Sequence, residues 1–232
     1  MTSNSVKRVG LRAAAVLAVA ASLAACAAEQ GSLETSPPAS SGTAAAGKGA
    51  CTHVDAPMLD IPAGSDTEPR LRIPVPPGWA RNTELDSVDQ SLRFTLAHTV
   101  DDTGEPPQNV AIVSLDLAEP DSDAQAILDD LRSGLKDMLE AKQLPTDFAT
   151  TPGTVCGLPA QTLVFAGTAT GLGGMTLPQG RPATALHVVA EAGGHTYLIQ
   201  LTTTTEPDDP KYLRDVETIL TGFQVLPPAS AI

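Results

Sequence analysis

Apolar and polar residues alternate with period two over several short stretches of this chain, and follow a helical period over two longer ones. Leu92 to His98 reads as a strand, with Leu92, Phe94 and Leu96 on one face. Asn109 to Leu117 is a β-branched apolar run and is expected to be the best-buried strand. Leu158 to Ala166 is a further strand. Ala183 to Glu191 and His195 to Thr203 flank Ala192-Gly193-Gly194, the pattern of a hairpin. Leu71-Arg72-Ile73-Pro74-Val75 reads as a short edge strand, because an edge tolerates the N–H that Pro74 lacks. Pro76-Pro77-Gly78-Trp79 then makes a tight turn, whereas Asp60 to Gly64 reads as loop. Helical spacing places Ile127, Leu128, Leu131, Leu135, Met138 and Leu139 on one stripe. Ser122 and Gln125 are placed to form a capping box, with Asp121 and Asp123 at the favourable end of the helix dipole. Gly134 interrupts that stripe and suggests close backbone packing. Pro210, after Asp208 and Asp209, opens a second helix whose apolar face is read as Leu213, Val216, Leu220 and Phe223. Phe223 to Leu226 adds a last strand. These elements predict an α+β domain, two main helices packed on a mostly antiparallel sheet.

The segment before this domain has a different character. Lys7, Arg8 and Arg12 precede an apolar run from Ala13 to Ala21, shorter than the ~20 residues that span a bilayer. Leu23-Ala24-Ala25-Cys26 follows and reads as a lipobox, with Cys26 as the site of diacylglycerol attachment. Residues 1–25 are therefore expected to be a cleaved lipoprotein signal peptide. Residues 26–50, rich in Ser, Thr, Pro, Gly and Ala, bury too little to repay ordering and are expected to form a flexible linker. As a random coil that linker has ends about 25–30 Å apart. Residues 51–232 are expected to fold as one domain, held to the extracytoplasmic face of the cell membrane by the lipid on Cys26.

Charge narrows the partners. Of 14 Lys and Arg, three lie in the leader, leaving 11 against 27 acids and a net charge of −16. So acidic a chain repels nucleic acid and anionic headgroups. Aromatic residues are only 3% of the chain, which argues against a sugar-binding face built on stacked rings. With Cys26 acylated, Cys51 and Cys156 remain as an even pair in an exported protein, and a disulfide is expected. No basic residue flanks Cys156 to make it a reactive thiol.

Motifs for chemistry are missing. The sequence has no H-E-x-x-H, no G-x-S-x-G and no P-loop; Gly167 to Gly174 is glycine-dense but lacks the Lys-Ser/Thr ending. His53, His98, His187 and His195 show no metal-ligand spacing and read as surface or satisfied core residues. The acids of Asp101 to Glu105 do not match a calcium loop. No catalytic residue, metal or cofactor is assigned. Trp79, the lone tryptophan, reads foremost as a core anchor at the sheet's edge. With Leu172, Met175 and Leu177 it also completes a candidate ligand rim. Those three lie in the irregular stretch Gly167 to Pro182, read either as a flap over a site or as a simple insertion.

Val75-Pro76-Pro77-Gly78-Trp79, Gly157-Leu158-Pro159-Ala160 and Tyr197-Leu198-Ile199-Gln200-Leu201-Thr202-Thr203, read with the lipobox, resemble the LpqN/LpqT family of actinobacterial lipoproteins. The resemblance spans roughly Leu71 to Leu226. It implies a Mog1/PsbP-like α/β/α sandwich around a mostly antiparallel sheet. It also implies a place in envelope biogenesis, binding lipids or glycolipids and working beside membrane transporters; the family brings no established catalytic residues. The expected function is a membrane-anchored, non-catalytic accessory of the cell envelope. The alternatives are an exported hydrolase with an unrecognised active site and a lipoprotein that binds only other proteins.

Overall fold

The computed structural model describes residues 49–83, 91–98, 109–119, 122–141, 148–165, 183–204 and 209–229. The chain divides into two units, Met1–Thr43 and Ala44–Ile232, and every described residue belongs to the second. The lipobox with Cys26, most of the linker, the acidic turn at 101–107 and the rim candidates Leu172, Met175 and Leu177 lie outside the described residues.

Among the described residues, ten strands and two helices follow in the order β1 (Met58–Ile61), β2 (Arg70–Pro74), β3 (Trp79–Arg81), β4 (Leu92–His98), β5 (Val110–Leu117), α1 (Ala124–Ala141), β6 (Phe148–Val155), β7 (Leu158–Phe165), β8 (Ala183–Ala192), β9 (His195–Thr204), α2 (Pro210–Gly222) and β10 (Gln224–Leu226). Seven strands form one antiparallel sheet in the order β3-β4-β5-β9-β8-β7-β6. A second sheet has the order β1-β2-β10.

Turn chemistry accounts for the two tightest hairpins. A two-residue loop of the favoured hand requires positive φ at both positions. Gly193 and Gly194 meet that requirement between β8 and β9, at φ 55° and 79°. Between β6 and β7 the same geometry falls on Cys156 and Gly157, at φ 50° and 80°. Cys156 is bonded there to Cys51 across a Cα–Cα distance of 4.1 Å, the pair expected from the sequence. Trp79 N–H closes the turn on Pro76 O at 3.1 Å, which is the turn read from Pro76 to Trp79.

Because side chains alternate across a sheet, the large sheet contributes to a core on each of its faces. One face supplies Phe94, Leu96, Val113, Val188, Ile199 and Leu201, which meet Ile61, Leu71 and Ile73 of the small sheet and Ile219 and Phe223 of α2's end. The other face lies under α1. There Leu163, Phe165, Ala183 and Ala185 pack on Leu135 and Leu139, and Val189 and Leu198 pack on Leu128. Helices on opposite faces of an antiparallel sheet make the expected α+β sandwich.

Several local expectations are corrected. Leu71 to Pro74 is not an edge: β2 is the middle strand of its sheet. Pro74 is tolerated because β10 pairs only with Arg70, Leu71 and Arg72, so no partner on that side asks for its N–H. Asp60 and Ile61 belong to strand β1 rather than to a loop. Leu92 does not share a face with Phe94 and Leu96. A bulge between Leu92 and Phe94 shifts the register, and Leu92 joins Ala97, Val110 and Ile112 instead. In α2 the buried face is Tyr212, Val216 and Ile219, while Leu213 is 48% exposed. The cap of α1 is not Ser122 with Gln125. Asp123 Oδ1 accepts from the backbone N–H groups of Gln125 and Ala126, at 2.9 and 3.2 Å, and so takes the capping role itself. Gly134 is not in close backbone packing: a Cβ built there meets no atom of the described residues within 4 Å.

Candidate functional site

The fit of α1 on the sheet is incomplete. Leu128, Leu135 and Leu139 are buried, but Ile127, Leu131 and Met138, from the same apolar stripe, remain half-buried. They wall a cleft of about 530 Å³ whose other residues include Leu198, His187 and Gln200 from the sheet and Gly134 from the helix. Leu117, at the end of β5, also lines it and is 66% exposed. A concave, mostly apolar space with a few polar groups is the usual form of a ligand site.

Two of the cleft's polar groups, His187 and Gln200, belong to a row that crosses the sheet. Strand register aligns Gln161 of β7 with His187 of β8, His187 with Gln200 of β9, and Gln200 with Ser114 of β5. Gln161, His187 and Ser114 are buried and Gln200 is half-buried. Gln161 turns up to the helix, where its Nε2 donates to Leu128 O at 2.8 Å and ties α1 to β7. His187 is hydrogen-bonded to the Gln200 side chain, and burial pushes its imidazole down from the ordinary 6.5 to about 4, against the opposing pull of that bond. Its Nδ1 is buried and has no hydrogen-bond partner among the described residues. The charged residues lining the cleft are Asp116, Glu119 and Asp130, with no Lys or Arg among them.

Trp79 does not stand at a rim. It is 5% exposed, within the core, and its Nε1 donates to Asp215 Oδ2 at 3.1 Å. Lys211 Nζ donates to the same oxygen at 2.6 Å, and Tyr212 O–H lies 3.0 Å from His98 Nδ1. His98 stacks edge-on between Trp79 and Tyr212, at centroid distances of 5.8 and 4.7 Å. Burial first, and Lys211 second, hold the His98 imidazole below its ordinary value. This cluster docks the first turn of α2 on β3 and β4; it is an anchor, as the core reading of Trp79 predicts.

Two other depressions are more polar. One of about 660 Å³ surrounds the Gly193-Gly194 turn, beside Asp123, Glu191 and His195. One of about 320 Å³ lies beside the disulfide and is lined by Thr151, Thr154 and Thr162 among others. Among the described residues, no three His, Cys, Asp or Glu side chains gather as a metal site requires. His187 was the residue that motif reasoning passed over. Its signal was present: an ionisable side chain in the middle of the apolar run Ala185-Leu186-His187-Val188-Val189.

The fold and the cleft define an α+β sandwich, one helix on each face of an antiparallel sheet, with an apolar groove under the first helix. The family profile described as "Probable lipoprotein LpqN" matches residues 58–226, and the chain belongs to that family, Lpp-LpqN. The crystal structure of LpqN involved in cell envelope biogenesis of Mycobacterium tuberculosis superposes with a TM-score of 0.54 at 19% identity, over 74% of this chain and 91% of that one. It shares the fold. The solution structure of PsbP from Synechocystis matches at a TM-score of 0.47 and 14% identity, over 76% of this chain and 98% of that one. The Ran-binding protein Mog1p of Saccharomyces cerevisiae matches at 0.38 and 11%, over 68% and 90%. No curated protein matches the chain significantly. Membership of a lipoprotein family implies a membrane-associated location. Among the described residues no helix is long and apolar enough to cross a membrane.

Proposed function

We propose that this chain is a non-catalytic accessory lipoprotein of the cell envelope, anchored by diacylglycerol on Cys26, that holds the apolar part of a lipid or glycolipid under α1. The observation that carries the reading is the cleft itself. Ile127, Leu131 and Met138 hold apolar surface half out of the core beside a space of about 530 Å³. Leaving it uncovered forgoes about 25 cal/mol for each Å² of apolar area, and a hydrocarbon chain laid along it recovers that. Family membership supports a lipid-anchored accessory, and the envelope role of the M. tuberculosis neighbour is extended to this chain as part of the proposal. Partners then include the membrane and, in the same envelope, transporter proteins.

Gly134 provides the test. It lines the cleft, and its Cβ direction is open. Gly134→Trp is expected to fill the space, leave the melting temperature unchanged or raised, and remove lipid that copurifies with the wild-type chain, read by mass spectrometry of extracts. Equal lipid in both proteins, or none in either, defeats the cleft reading. Cys26→Ser is expected to release the chain from the membrane fraction and abolish incorporation of labelled palmitate; persistence of either defeats the anchor.

A further inference from the structure

We propose that the cleft under α1 and the depression at the Gly193-Gly194 turn form one trough for an amphiphile. Its tail lies toward Met138, and its head, beside the turn, carries a positive charge of the ammonium kind. The proposal rests on the reading of the cleft as a lipid site and adds where the head lies and what charge it bears.

Continuity comes from shared walls. Ala118 and Ser122 line both the apolar cleft of about 530 Å³ and the polar depression of about 660 Å³. Both spaces therefore open on the connection between β5 and α1. From there α1 runs along the sheet. Leu128 packs near the β8–β9 turn, on Val189 and Leu198, while Leu135 and Leu139 pack toward the opposite end, on Phe165 and Ala183. The cleft follows the helix to Met138, which lies against that second cluster. Ile127, Leu131 and Met138 make this part apolar, whereas Asp123, Glu191, His195 and the two glycines wall the depression. A hydrocarbon tail leaves water only in the cleft, and a polar head stays hydrated only in the depression, so one orientation is favoured.

Charge selects the head. Glu119 and Asp130 line the cleft and Asp123 and Glu191 the depression, with no Lys or Arg among the described lining residues of either. The basic residues of α1 are directed elsewhere: Arg132 pairs with Asp129 at 3.4 Å and Lys136 with Glu140 at 3.9 Å. Asp123 also caps α1, so the helix N-terminus that would otherwise attract a phosphate already holds a carboxylate. An anionic head meets like charge here, a neutral head gains nothing from it, and an ammonium is attracted. The half-buried stripe of α1 supplies the affinity; the carboxylates discriminate.

Equilibrium binding of lauroylcholine, 1-lauroylglycerol and laurate to the full chain tests this, below micelle formation and at about pH 8, where ordinary imidazoles are neutral. The three share one acyl chain and differ in the head. Lauroylcholine is expected to bind about fivefold more tightly than lauroylglycerol, and laurate about fivefold more weakly, the effect of two carboxylates acting through water. Salt at about 1 M is expected to draw the three together. Asp123→Asn combined with Glu191→Gln keeps a capping side chain on α1. It is expected to remove most of lauroylcholine's advantage while lauroylglycerol binds as before. A nitroxide at the end of the tail is expected to broaden the methyl resonance of Met138 and to spare the amides of Gly193 and Gly194. Lauroylglycerol or laurate binding as tightly as lauroylcholine, an undiminished advantage in the double variant, or broadening at the glycines instead overturns the proposal and leaves the cleft reading standing. Failure of all three to bind overturns both.

Discussion

His187 shows how one side chain ties folding to pH. The unfolded chain takes up a proton on this residue as pH falls through its ordinary 6.5, whereas the folded chain resists until about 4. Between those values the unfolded state binds more protons, so each step down in pH favours unfolding. Stability is full above 6.5 and falls toward 4 by about 3 kcal/mol if this residue acts alone. Urea titrations of wild type and His187→Gln across that window check it. The variant is expected to lose most of the slope, with the remainder left to His98, which shifts in the same direction. An unchanged slope places the acid sensitivity elsewhere. Trp79 makes the complementary point. Its indole N–H meets a buried carboxylate, so a residue that in isolation suits a ligand platform is consumed by the core.

At the scale of elements, α1 carries one stripe with two duties. Leu128, Leu135 and Leu139 fix it to β7 and β8, while Ile127, Leu131 and Met138 face the groove. Gly134 lies on this helix, exposed, with no atom within 4 Å of an added Cβ. Glycine in an exposed helix interior costs about 1 kcal/mol relative to alanine, and nothing here offsets it. Gly134→Ala is therefore expected to stabilise the chain by about 0.5–1 kcal/mol in denaturant titration. Destabilisation would mean that the groove is closed over this position. The bulge in β4 is the other decision made by an element: one extra residue transfers Leu92 from the α2 side of the sheet to the α1 side.

For the whole molecule, the disulfide joins the segment ahead of β1 to the β6–β7 turn across 105 residues of sequence. It thereby links the start of the domain to the far edge of the large sheet. Closing so long a loop removes about 4–5 kcal/mol of unfolded-chain entropy in the simplest model. Cys51→Ser is expected to lose about 2–5 kcal/mol, with a matching fall in melting temperature for the reduced wild type. Alkylation of unreduced protein is expected to modify neither Cys51 nor Cys156. Free labelling of both, or equal melting with and without reductant, defeats the claim.

What the sequence by itself determined is what local interactions decide. The period-two runs of β4, β5, β7, β8 and β9, the helical stripe of α1 and the Pro210 start of α2 each follow from residues a few positions apart. The Gly193-Gly194 turn belongs with them, because its backbone conformation is a property of those two residues. The pairing of Cys51 with Cys156 was legible from the cysteine count and the compartment that the leader implies. Tertiary structure decided whatever depends on the neighbour. β1, β3 and β6 are short or carry Pro152 and Gly153, and they become strands only because a partner supplies hydrogen bonds. The middle position of β2 likewise belongs to the two strands that flank it. The polar row under α1 exists because register aligns residues from four strands whose sequence distances share no pattern. A cleft is the difference between two packed surfaces. No single stretch of sequence contains it, so the burial of His187 acquired its meaning only when helix and sheet were brought together.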